Sequence, residues 1–146
     1  MTGRTHDVAA FTSCIVVLVY TPTLPEMSLV TIVAAFGANF IGGLFPDIDQ
    51  PTSDLWDNFR LGTLFAKFIP KILGGHRHIS HSIVGVWLIG YLSLKLLNYI
   101  STFLLININM QIVWYAFMIG VISHLIMDLI TKDGIPLLWP LRWKIG

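Results

Sequence analysis

Apolar residues fall into four long runs separated by short polar or proline-rich breaks. The first covers about Val8 to Tyr20 and stops at Thr21-Pro22-Thr23-Leu24-Pro25. The second, about Met27 to Phe45, is long enough to cross a bilayer, and Pro46 ends it. The third begins near Ser82 and reaches about Ile100; the fourth runs from about Ile112 to Ile130 and is closed by Gly134 and Pro136. Runs of this length and purity predict membrane-spanning helices, the first of them short for a span.

The stretch from Asp54 to Leu73 differs in kind. Leu61, Leu64, Phe65, Phe68 and Ile72 recur at helical spacing, while Arg60, Thr63, Lys67 and Lys71 fall on the opposite face. This predicts an amphipathic helix, lying in the membrane plane or packed on the bundle, with Gly74-Gly75 as a joint after it. The expected architecture is therefore all-α: a polytopic membrane helical bundle of about four transmembrane helices plus an interfacial amphipathic helix. Residues 1–146 suffice for one domain. Ala34, Ala38 and Gly42 recur at four-residue intervals in the second span, a small-residue face suited to close helix packing, in a homo-oligomer as well as within one chain.

Composition agrees. Hydrophobic residues make up 55% and charged residues 12%, and the mean hydropathy of +0.74 is too high for a soluble core of this size. The net charge of +1, with no basic patch interleaved with aromatics, excludes the usual nucleic-acid surface. Cys14 is the sole cysteine, so neither an intrachain disulfide nor a thiolate zinc cluster is available. Arg4 followed by an apolar run resembles a signal peptide, but Pro22 and Pro25 stand where small cleavage-site residues would be expected.

Charge sets the orientation. Arg4, Arg60, Lys67, Lys71, Arg77, Lys132, Arg142 and Lys144 all lie in the N-terminus, the central loop or the C-terminus. Four spans put those three regions on one side, and the two opposite loops hold no Lys or Arg. The positive-inside rule makes that side cytoplasmic, which predicts a multi-pass protein of the cell membrane with both termini in the cytoplasm. Lys95 falls inside the third span, where its stem can snorkel outward.

The chemistry-bearing residues gather on that side. His6 opens the first span; Asp47 and Asp49, in Phe45-Pro-Asp-Ile-Asp-Gln50, close the second. His76, His78 and His81 precede the third, and His124 and Asp128 lie near the end of the fourth, one turn apart on one face. Ionisable residues within a span are usually paired, coordinated or functional, and one divalent cation satisfies both His124 and Asp128. Carboxylates two residues apart repel, which a cation relieves, although a solvated turn shows the same residue types. Ser80 or Ser82 caps the third helix. Arg77 is a candidate clamp for a substrate phosphate, and ordinary positive-inside placement accounts for it equally. Trp56, Trp139 and Trp143 read as interfacial anchors.

Imidazole and carboxylate without thiolate suits zinc, manganese or iron. The number of candidate ligands exceeds one tetrahedral zinc, so two ions are expected, an arrangement that points to phosphoester hydrolysis. Asp47 or Asp49 is the candidate general base.

These motifs, in this order, resemble the YdjM-like family of LexA-regulated, membrane-bound, metal-dependent hydrolases. The matching pieces are Thr5-His6, Gly43-Leu-Phe-Pro-Asp-Ile-Asp49, His76-Arg77 with Ser80-His-Ser82, Ser123-His124 with Asp128, and the tail Gly134-Ile-Pro-Leu-Leu-Trp-Pro140. The resemblance implies metal ligands at His6, Asp47, Asp49, His76, His81, His124 and Asp128. The chain departs from the family's pattern at Ser80, where Thr is commoner, at Gln50, where His is frequent, and at Ala10, where Gly often stands.

The resulting expectation is an integral-membrane metal-dependent hydrolase, zinc being the leading metal. It would use metal-activated water on a phosphoester, such as a phospholipid headgroup reaching the site laterally. Two rivals use the same cluster without hydrolysis. A metal transporter or sensor would need polar ligands continuing through the bilayer, whereas the outer halves of the spans are nearly bare apart from Asn39 near mid-membrane. A haem protein with His81 and His124 as axial ligands leaves the aspartates without a role.

Overall fold

Ser28, Ser82 and Asn109 mark where three of the helices begin. In the computed structural model, which describes residues 3–23, 25–50, 79–132, 134–141 and 143–146, each side-chain oxygen accepts a hydrogen bond from a backbone N–H of the first turn. The helices are α1 (Gly3–Tyr20), α2 (Leu29–Leu44), α3 (Ile83–Ser101) and α4 (Met110–Leu129). All four apolar runs are thus helical. α1 starts earlier than its apolar run, taking in Arg4, Thr5 and His6. The amphipathic segment Asp54 to Leu73, Trp56, His76, Arg77 and His78 lie outside the described residues.

Pro46 does not stop the second helix dead. It sits in the first turn of a short 3-10 helix, Phe45–Asp49, where its missing N–H leaves no bond unmade. That tightened turn swings Asp47 and Asp49 back under the bundle. A second 3-10 turn, Ile79–His81, leads into α3.

The central helix is α4, which packs on α1, α2 and α3. Its contact with α2 is backbone to backbone. A Cβ on Gly42 would strike the Phe117 carbonyl, and one on Gly120 would strike the Asn39 carbonyl. The small-residue stripe of α2 therefore meets α4 through Gly42, and Asn39 adds a hydrogen bond from its amide to the Ala116 carbonyl at 3.1 Å. α3 is held more loosely, with Trp114 donating its indole N–H to the Gly90 carbonyl at 2.9 Å.

Phe117, Val121, Leu125 and Ile135 form a small core, while large apolar side chains including Val8, Phe11, Phe40, Trp87, Leu92 and Leu105 are exposed. Such a surface needs hydrocarbon as its solvent. Three helical segments, Leu29–Asp49, Ile83–Ser101 and Met110–Leu129, are long and apolar enough to cross a membrane. α1, with 18 residues, extends about 27 Å, close to a bilayer's apolar thickness, but opens with a polar turn.

After α4 the tail folds back beneath the same end. Ile135 and Ile145 exchange both backbone hydrogen bonds at 3.0 Å, and Leu137 accepts from the Ile83 N–H at 3.0 Å. Gly134 turns the chain with φ of 59°, a left-handed conformation that suits glycine.

Candidate metal centre

The start of α1, the end of α2, the start of α3 and the end of α4 meet at one end of the bundle. They bring together His6, Asp47, Asp49, His81, His124 and Asp128. His6, Asp49, His81, His124 and Asp128 are all buried, and only Asp47, whose side chain is 20% exposed, faces outward in part.

The geometry centres on two imidazoles. His124 Nδ1 lies 2.6 Å from the Gly43 carbonyl, so it donates there and carries the proton. Its Nε2 then presents a lone pair toward Asp47 at 3.6 Å and Asp128 at 3.7 Å. That nitrogen is buried and has no hydrogen-bond partner among the described residues. His81 is arranged alike. Its Nδ1 stands 2.8 Å from the Ser80 hydroxyl, which itself donates to Asp49 in a short hydrogen bond. The chain Nδ1–H to Ser80 to Asp49 fixes the tautomer and turns His81 Nε2 toward Asp128 at 3.2 Å and Asp47 at 3.9 Å.

His6 completes the group from α1. Its ring stacks on His124 with centroids 3.9 Å apart, and its Nε2 lies 3.7 Å from Asp128. Ala10, one turn on, presses on Gly43, where a Cβ would come within 2.8 Å of the Ala10 methyl. The α1–α2 contact thus supports the carbonyl that orients His124.

Electrostatics follow from the same contacts. Burial opposes charge on His81, but the carboxylates of Asp128 and Asp49 outweigh it and raise the imidazole above its ordinary value. Without another cation, this cluster of carboxylates holds a proton on histidine.

The donor set fits a metal. Two ligands about 2.1 Å from a tetrahedral ion stand about 3.4 Å apart, and the nitrogen–oxygen separations of 3.2–3.9 Å around His81, His124, Asp47 and Asp128 bracket that value. Two converging groups emerge among the described residues, His6 with Asp47 and His124, and His81 with His124 and Asp128. Both use His124, whose other nitrogen is engaged with Gly43. One nitrogen ligates one ion, so His124 can serve one of the two groups at a time.

Five of the seven expected ligands thus converge. Asp49 lies outside both groups and reaches the centre through Ser80 and His81; His76 and Arg77 lie outside the described residues. Ser82 caps α3, which leaves Ser80 free for its bridging role. Sequence reasoning missed that role and the Gly43 carbonyl. The position of Ser80 beside His81 was the only available signal for the first, and a backbone carbonyl leaves no signal at all.

Fold and site together define a polytopic helical membrane protein with a buried imidazole–carboxylate cluster at one end. The model of the YdjM inner membrane protein family matches residues 1–146, and the chain belongs to that family. Inner membrane protein YdjM of Escherichia coli (strain K12) is 31% identical over 111 residues, 69% of this chain and 46% of its own. Its namesake from Shigella flexneri aligns with the same figures. Uncharacterized protein YvsG of Bacillus subtilis (strain 168) is 31% identical over 140 residues, 96% of this chain and 74% of its own. The chain spans about half the length of the YdjM proteins it matches. No solved structure matches it.

Proposed function

We propose that this chain is an integral-membrane hydrolase that uses a divalent metal, zinc first, to cleave a phosphoester at the cytoplasmic face. The observation that supports it best is the pair of buried imidazoles, His81 and His124. Each has its Nδ1 proton engaged, and each has Nε2 turned on the same two carboxylates. His6, Asp47, His81, His124 and Asp128 are the ligands, His6 stacking on the His124 ring. A bound divalent cation supplies Lewis acidity toward a phosphoryl oxygen and makes water a stronger acid.

The protein's own residues do the rest. Asp47, the partly exposed carboxylate, stands where solvent and substrate enter and takes the proton of the attacking water. Ser80 and Gly43 hold the imidazoles in one tautomer, so no reorganisation accompanies reaction. The buried walls exclude bulk water from the reacting atoms. Arg77 is the candidate clamp for the phosphate, and Arg4, Lys132 and Lys144, all exposed at the same end, support a cytoplasmic site.

The transporter reading weakens on one point. Asn39, the polar residue near mid-membrane in α2, is engaged with the Ala116 carbonyl.

Metal analysis of detergent-purified protein, beside a panel of phosphodiesters, tests the proposal. The described ligands predict one tightly held ion per chain; a second equivalent would call on residues beyond them, His76 first. His124→Ala is expected to lose the metal and all hydrolysis. Metal-free protein, or hydrolysis that survives His124→Ala, overturns the reading.

A further inference from the structure

Beside the metal cluster a second feature remains without a role. α2 and α3 both pack on α4 but scarcely on each other, and the space between them is a cavity of about 520 Å³. Its walls include Ile41 and Ile48 on one side and Leu92 and Leu96 on the other, with Phe117 as the floor. Two hydroxyls border it, and both are engaged elsewhere: Ser93 donates to the Gly90 carbonyl at 3.0 Å, and Ser80 donates to Asp49. Among the described residues the lumen therefore offers an occupant apolar contact alone.

We infer that this groove holds one acyl chain of a membrane phospholipid and so presents that lipid's phosphate headgroup to the metal cluster. The inference rests on the hydrolase reading and names its substrate class.

Three features favour a lipid chain. Along α3 the groove extends from Gly85 to Leu97, about 18 Å at the helical rise, which matches the about 15 Å of hydrocarbon in one leaflet. Its walls are open along one side, where Ile41, Leu92 and Leu96 are exposed, so a lipid chain can enter it sideways from the bilayer. Finally, the groove ends where the chemistry begins. Ile48 lies between Asp47 and Asp49, and Ser80 lines the groove with its body while its hydroxyl joins Asp49 and His81. A chain seated there places its ester end at the partly exposed Asp47.

The test uses full-length protein in detergent, with a near-stoichiometric phospholipid carrying a photoactivatable group on its acyl chain. Labelling is expected on the segments holding Ile41 and Leu92. Leu92→Trp fills the groove and is expected to reduce that labelling about tenfold, the factor for excluding two methylenes from an apolar site. Tyr91→Trp, on the exposed face of the same helix, is expected to leave it unchanged. In hydrolysis, the ratio of activity on long-chain phospholipid to activity on a water-soluble phosphodiester is expected to fall about tenfold in Leu92→Trp. Groove labelling without hydrolysis of either substrate keeps the lipid site and discards the hydrolase. Hydrolysis of the soluble ester with label spread evenly over exposed helix faces keeps the hydrolase and overturns the groove. A cross-link from the groove to a second copy, or to residues 51–78, also overturns it.

Discussion

Ser80 does for His81 what the Gly43 carbonyl does for His124: each takes the Nδ1 proton and leaves Nε2 for the cluster. Such outer partners typically carry 10- to 100-fold in metal affinity. Ser80→Ala is therefore expected to weaken metal binding by about that range, read by chelator competition, while Ser82 still caps α3. His81 also sets a pH dependence. Its imidazole is raised from 6.5, so in metal-free protein its charged pairing with Asp128 and Asp49 is fully present below 6.5. That stabilisation is lost as pH rises through the raised value. A metal needs the neutral ring and has the opposite sign. Thermal melts with and without zinc are expected to show a metal-induced rise in Tm that grows as pH climbs across that window; a rise independent of pH would remove His81 from the ligand set.

At the level of elements, the α2–α4 contact carries the architecture. Gly42 and Gly120 allow backbones to touch, and the four-residue stripe in α2 announced that a close neighbour exists. Gly120→Ala must push a methyl into the Asn39 carbonyl, and overpacking of this kind costs about 1–3 kcal/mol. A lowered unfolding midpoint in detergent is expected, together with weaker metal binding, because the same contact brings Gly43 to His124. An unchanged midpoint would show that α2 and α4 are not in this register. Gly37, where a Cβ would meet nothing within 4 Å, is the control: Gly37→Ala is expected to leave the midpoint unchanged or slightly higher.

For the whole molecule, the question is how many helices cross. Three segments qualify on length and composition, and α1 lies against α2 and α4 with exposed apolar side chains along most of its length. Since His6 joins residues from the ends of α2 and α4, α1 must run from the cluster's side toward the far side. Activity reporters fused after Gly146 and within residues 103–108 are expected to give opposite readings, cytoplasmic for the tail and external for the loop. A reporter near Thr23 is expected to match the loop. A cytoplasmic Thr23 would make α1 a helix that does not cross.

Hydropathy, charge and spacing by themselves determined the class of this protein. The four helices follow from apolar runs that only hydrocarbon can solvate, and their common ends follow from alternating direction. That is why His6, Asp47, His81, His124 and Asp128 could be assigned to one side from their places in the chain. Asp128 and His124 were readable as partners because four residues make one helical turn. What tertiary structure alone decided is the division of labour inside the cluster. Asp47 and Asp49 look equivalent as Pro-Asp-Ile-Asp, yet the 3-10 turn sends one toward the Nε2 atoms of His81 and His124 and the other behind His81. The use of His124 by both candidate ligand groups is a matter of distances between four separate helix ends. So is the groove between α2 and α3. Periodicity reports which face of a helix is apolar, but it carries no record of a gap left between two such faces.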